Sequence, residues 1–218
     1  MDWTHIDAVL FDFDGTLAPN LDLPGMRKAV VAFTLECGVP PAVFDGQYIV
    51  EIIEVSKAWL LAQAGSPITA TEYYDRAHQI VAEIELEAAA RTRPFDGVRS
   101  LLLRLASTGI RTGVVTRNCR QAVMETFPDI LEHVDAVHAR GDVDYLKPDP
   151  RHLQVALSAL GCDSARSMMV GDGVLDMEVG KALGMYCVGV LSGSSDRAGL
   201  IAAGADRILG NCLELGSS

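Results

Sequence analysis

The chain has 218 residues, 49% of them hydrophobic and 22% charged, with 29 acidic against 18 basic side chains and a net charge of −11. That composition belongs to a packed globular protein with room for one large domain, or a core plus a small accessory domain, and it excludes a disordered chain. The acidic surplus argues against nucleic acid or an anionic membrane as partner, since both need a basic footprint. An anionic substrate would need positive charge supplied locally, by a metal or by a few lysines and arginines.

The first residues, MDWTHIDAVLFDFDG, lack a basic segment followed by an apolar run, so they do not read as a signal peptide. The apolar runs further on are far short of a membrane span. Five scattered cysteines (Cys37, Cys119, Cys162, Cys187, Cys212) form no CxxC pair. They read as reduced thiols and lead to the expectation of a cytoplasmic protein. No internal repeat is present.

The first element is Ala8–Phe11, four apolar residues that end in acid and glycine. The run is too short for a helix and apolar on both faces, as a central parallel strand should be. From about residue 19 to residue 93 no convincing strand follows. Leu23–Glu36, 48–63 and 69–91 read as three helices, split by Gly38-Val39-Pro40-Pro41 and Gly65-Ser66-Pro67. Thr69 and Glu72 have the spacing of a capping box. Pro94-Phe95-Asp96-Gly97 marks the return to an alternating pattern. A helix over 98–106 precedes a strand over 110–115, and a weaker strand spans 134–138. A helix over 150–160 precedes a strand at 167–170, and one over 177–183 precedes a strand at 186–191. Gly109, Gly161 and Gly184 stop the three helices, and Asp149-Pro150 starts the middle one, with aspartate as cap and proline as first helical residue. Strand alternating with helix predicts an α/β fold with a doubly wound parallel sheet. The expected division is a core of 1–18 and 94–218, with a helical insertion of 19–93.

In such a sheet ligands bind beyond the carboxyl ends of the strands. Asp12-Phe13-Asp14-Gly15-Thr16 follows the first strand and Thr116-Arg117-Asn118 the second. Lys147-Pro148 precedes a helix, and Gly171-Asp172-Gly173-Val174-Leu175-Asp176 follows the fourth strand. The acids Asp12, Asp14, Asp172 and Asp176 thus converge with Thr116 and Lys147 on one edge. Such a cluster is costly without a cation, and hard oxygen donors suit magnesium. One carboxylate can attack phosphorus, and a second, two residues on, can protonate the leaving oxygen and later activate water. Magnesium and the lysine would offset charge on the transferring group.

Each feature also has a plainer reading. Asp-x-Asp-Gly-Thr can be a strand-ending turn. Thr116 or Asn118 can be a helix cap, and Lys147 alone would be a solvated surface lysine. Asp176 can be a first-turn acid favoured by the helix dipole. Arg117 points either to phosphate or to solvent. The five histidines, Trp59 and Tyr73-Tyr74 read as structural or exposed.

The segments VLFDFDGTL, VVTRN, LKPDP and MVGDGVLDM, in this order, resemble the four motifs of the haloacid dehalogenase superfamily, over about residues 6 to 190. The resemblance implies Asp12 as nucleophile and Mg²⁺ ligand. It implies Asp14 as general acid and base, and as a metal ligand through its backbone carbonyl. Thr116 and Lys147 would bind phosphate, Asp172 the metal, and Asp176 the metal through water. It also implies that the insertion is a helical cap of the kind found in phosphoglycolate phosphatase relatives, with the loop 38–47 facing the site. The implied enzyme is a Mg²⁺-dependent phosphoric monoester hydrolase acting on a small phosphorylated metabolite through an aspartyl-phosphate. A sugar-phosphate mutase, a phosphonate hydrolase or a catalytically silent binding protein could share the core. The phosphonate reading wants a Schiff-base lysine in the cap, where only Lys28 and Lys57 stand. Substrate identity and oligomeric state carry no readable signal.

Overall fold

The computed structural model describes residues 5–63 and 68–216. Two compact units are present: Met1–Leu21 with Ala88–Ser218, and Asp22–Glu87. The expected break at Gly65-Ser66-Pro67 lies outside the described residues.

The first unit is built on a six-stranded, all-parallel sheet. Its strands are β1 (Ala8–Phe11), β2 (Arg111–Cys119), β3 (Ala136–Arg140), β4 (Ser167–Gly171), β5 (Tyr186–Val190) and β6 (Arg207–Leu209). They lie in the order β3-β2-β1-β4-β5-β6. The order reverses between β1 and β4, which places a ligand-binding crevice at their carboxyl ends. The doubly wound expectation therefore holds, with one strand more than the five predicted, and β2 runs on through Thr116, Arg117 and Asn118 instead of ending before them. Its pairing with β3 becomes irregular between Val115 and Cys119, so these polar residues leave the regular ladder while the backbone stays extended.

Alternation along β1 splits the core. Val9 and Phe11 pack with Val114, Val170 and Val188 and with Leu101, Leu102 and Leu105 of α4 (Val98–Ser107). Ala8 and Leu10 face the opposite layer, with Val115, Met169 and Leu153, Ala156 and Leu157 of α6 (Arg151–Leu160). All four β1 side chains are fully buried, so each large one contributes roughly 1.5–3 kcal/mol from leaving water. In α6 the regular ladder begins one residue later than predicted. Asp149 still acts as a cap, its Oδ1 accepting the Arg151 N–H at 2.9 Å. Short α5 (Arg120–Thr126), α7 (Val174–Ala182) and α8 (Arg197–Ala202) complete the layers.

The second unit holds α1 (Leu23–Glu36) and α2 (Ile49–Leu61), and most of α3 (Ala70–Ala89), which runs on into the first unit. The capping box is present: Glu72 N–H donates to Thr69 Oγ1 at 3.2 Å, and Glu72 Oε2 accepts the Thr69 N–H at 3.0 Å. Tyr73 is fully buried, bonded to Thr34 at 2.8 Å and stacked on Phe33. Lys57 Nζ sits 3.8 Å over the Tyr74 ring, which is a packing role. Phe95 N–H donates to Leu17 O at 2.9 Å, tying together the two strands of chain that lead into and out of the insertion. Among the described residues no helix is long and apolar enough to cross a membrane.

Candidate active site

Asp12 is the first residue beyond β1, and its N–H donates to Val170 O on β4 at 2.8 Å. The chain then turns at Gly15, whose φ is +84°. A Cβ there would also stand 2.6 Å from the Asp172 carboxylate. The position thus needs glycine twice, for the left-handed backbone and for room. Asp172 lies just past β4 and Asp176 in the first turn of α7. Asp12, Asp172 and Asp176 are all buried, and each offers a carboxylate oxygen within 4.8 Å of the others.

Lys147 joins this cluster from the segment before α6. Its Nζ donates to Asp12 Oδ1 and to Asp176 Oδ1, both at 2.7 Å. It is only 2% exposed, so the surface-lysine reading does not describe it. Asp176 is the first-turn acid that one of its two readings expected, and it also contacts the lysine. Its Oδ2 accepts the Gly173 N–H at 3.0 Å, capping α7, while Oδ1 meets the lysine.

Three buried carboxylates share the site with one ammonium, which Asp12 and Asp176 contact directly. Burial pushes Asp12 up to about 6; the Lys147 charge opposes the rise and Asp172 adds to it. Asp176 is likewise raised to about 6, by burial first, with Lys147 opposing and Asp12 adding. Asp172 is raised by burial and by the Asp176 charge, against hydrogen bonds from Ser194. Burial alone would depress Lys147, but the charges of Asp12 and Asp176 outweigh it and hold the ammonium above its usual range. The surplus of negative charge, on oxygen donors only, is the environment that a hard divalent cation fits.

Thr116 is 1% exposed, and its Oγ1 accepts the Asn118 N–H at 3.0 Å. Its own hydrogen is left to donate. Asp14 is not part of the acidic cluster: its carboxylate accepts from Asn118 Nδ2, 3.1 Å from each oxygen. Arg117 donates through its guanidinium to Lys147 O. His152 accepts the Lys147 N–H on Nδ1 at 3.2 Å, and its Nε2 lies 3.2 Å from His138 O. A carbonyl only accepts, so Nε2 carries the hydrogen and the ring is neutral. The Lys147 main chain is thus gripped on both sides.

Two further residues belong to the site and were not anticipated. Ser194 donates to Asp172 Oδ2 through its N–H at 2.6 Å and its hydroxyl at 2.8 Å. Ser192 Oγ donates to Gly15 O at 2.7 Å. Between them, Gly193 passes so close to Asp172 that a Cβ would overlap the carboxylate. Nothing in Ser192-Gly193-Ser194 distinguishes it from an ordinary turn; its place just beyond a parallel strand was the available signal.

A parallel sheet in this order, with a buried acid beyond each of its two middle strands and a buried lysine beside them, is the arrangement that the four motifs of the haloacid dehalogenase superfamily imply. The chain belongs to that family: the model of the haloacid dehalogenase-like hydrolases matches residues 9–190. It is 28% identical to an N-acetylmuramic acid 6-phosphate phosphatase of Pseudomonas aeruginosa, over 87% of this chain and 83% of that protein. It is 30% identical to a phosphoglycolate phosphatase of Mesorhizobium japonicum, over 87% and 84% respectively. Among solved structures, a hydrolase from Pseudomonas syringae superposes with a TM-score of 0.72 at 22% identity, covering 96% of this chain and 95% of that one.

Proposed function

We propose that the chain is a Mg²⁺-dependent phosphatase of a small phosphorylated metabolite, working through an aspartyl-phosphate on Asp12. The observation that carries this reading is the buried cluster of Asp12, Asp172 and Asp176, with Lys147 Nζ bonded to Asp12 and Asp176. The names of the relatives support the substrate class. Asp12 and Asp172 would hold the ion directly, with the Asp14 carbonyl, and Asp176 through water. Bound there, Mg²⁺ would offset the charge of the phosphoryl group.

In the first half-reaction an Asp12 carboxylate oxygen bonds to phosphorus and the bond to the leaving oxygen breaks. The electron pair stays on that oxygen, which takes a proton from Asp14. In the second, a water oxygen bonds to phosphorus, its proton passes to Asp14, and the acyl-phosphate bond breaks to restore Asp12. Thr116 donates its hydroxyl hydrogen to a phosphoryl oxygen, and Lys147 presents its ammonium to another. Arg117, bonded to Lys147 O, serves the phosphate by fixing the lysine. The helical insertion is the cap that sets substrate choice, and its loop 38–47 is the part of it assigned to that role. Lys57, packed on Tyr74, does not favour a Schiff-base mechanism.

The test is turnover of para-nitrophenyl phosphate, followed by a panel of phosphorylated metabolites. EDTA should abolish activity and added Mg²⁺ should restore it; full activity after complete chelation would end the metal reading.

A further inference from the structure

Asn118 stands near the end of β2, only 4% exposed. Its side-chain nitrogen is directed at both oxygens of Asp14, and its main-chain N–H at the Thr116 hydroxyl. Its own amide oxygen is buried and has no hydrogen-bond partner among the described residues. A buried acceptor without a donor is destabilising, and an apolar side chain of similar size would remove that penalty. For packing alone asparagine is therefore a poor occupant of this position. What the amide achieves is to fix the rotamer of Asp14.

Proton transfer needs donor and acceptor within hydrogen-bond reach, about 2.6–3.2 Å. A carboxylate free to swing spends little of its time there. Asp14 lies outside the Lys147 cluster, so the ammonium that orders Asp12 and Asp176 does not order it. We propose that Asn118 is a positioning residue for proton transfer by Asp14, holding its carboxylate in one orientation through both half-reactions. Through its main-chain N–H it also turns the Thr116 hydroxyl hydrogen away from β2 and toward the phosphoryl group. The proposal rests on the reading of Asp14 as general acid and base, and goes beyond it by assigning what holds that residue.

The experiment compares phosphoglycolate, whose alkoxide leaving group needs a proton, with para-nitrophenyl phosphate, whose leaving group needs little. Single-turnover rates are measured for the wild type, Asn118→Ala, Asn118→Leu, Asp14→Asn and the double variant Asp14→Asn/Asn118→Ala. The Asn118 variants should lose about 10- to 100-fold on the alkyl ester and at most a few-fold on the aryl ester. The double variant should be no slower than Asp14→Asn alone. Melting temperatures should stay at or above that of the wild type; leucine, which fills the volume, covers the case in which the alanine variant does not fold. Equal losses on both esters, or a further loss in the double variant, would overturn the proposal. Leaving-group sensitivity in Asp14→Asn but not in the Asn118 variants would overturn it while leaving the Asp14 reading intact. Insensitivity in Asp14→Asn itself would remove that reading and this proposal with it.

Discussion

His152 shows how much a single buried ring can do for a site it does not enter. Burial and the neighbouring Lys147 charge depress its pKa from 6.5 to about 3, with His138 and Arg117 adding to the effect and the bond to His138 O opposing it. The ring stays neutral, and a second proton would have to sit on Nδ1 against the Lys147 N–H. A lowered pKa in the fold means that the unfolded chain binds the extra proton first. The stability this residue contributes is complete above pH 6.5 and is lost as pH falls toward 3, at up to about 1.4 kcal/mol per pH unit. In His152→Gln that part of the acid sensitivity should vanish, so urea melts of the two proteins at pH 7, 5.5 and 4.5 should converge. A pH-independent difference would show that the ring titrates alike in the folded and the unfolded chain. For Asp12→Asn the expected outcome is loss of turnover by about 10⁴-fold with the fold intact. The amide keeps the shape and removes both the burial cost and the repulsion from Asp172, while Lys147 retains Asp176. Melting of the metal-free variant should occur at or above the wild-type temperature; a collapse would mean that the Asp12–Lys147 pair is needed to hold the site together.

Among the elements, β1 is covered on both faces and, by β2 and β4, on both edges. Phe11→Ala should cost about 3–5 kcal/mol, while Leu103→Ala, on a residue 54% exposed in α4, should stay within about 0.5 kcal/mol. Denaturant melts would separate them, and similar losses would contradict the assignment of the core. Both the run that makes β1 and the acids beyond it were legible in the sequence, since an uninterrupted apolar tetrad ending in Asp-x-Asp-Gly-Thr has few other structural outcomes. Strand β6 was not. Three residues on a sheet edge, one of them arginine, carry no periodicity, and their pairing is supplied by β5. The end of β2 was misread because Thr116-Arg117-Asn118 looks like a loop, whereas the backbone stays extended to deliver these polar groups to the site. Lys147 was assigned to this edge of the sheet only through its motif. Its burial, and the service of His152 and Arg117 to its main chain, arise from neighbours distant in sequence that no local pattern announces.

At the scale of the whole molecule, a net charge of −11 surrounds a site meant for an anion. Long-range repulsion should slow encounter at low salt, and screening should relieve it. At fixed free Mg²⁺, kcat/KM for an anionic ester should rise by roughly two- to tenfold as KCl increases from about 20 to 200 mM. A fall over that range would mean that the local field of Lys147 and the bound ion already dominates approach.

The sheet order also has a consequence for how the protein comes into being. Synthesis proceeds from the amino to the carboxyl end, so β1 and Asp12 leave the ribosome before Lys147, which follows 135 residues later, and the β4 edge comes later still. At about 5–20 residues per second, the nascent chain carries a wholly apolar strand with one side unpaired, and the Asp12 carboxylate without its counter-ion, for about 7–30 seconds. Pairing with β2 can cover one edge during that interval. This central strand is therefore among the last parts to be completed, and every elongating chain passes through a stage in which a wholly apolar segment awaits a partner not yet made.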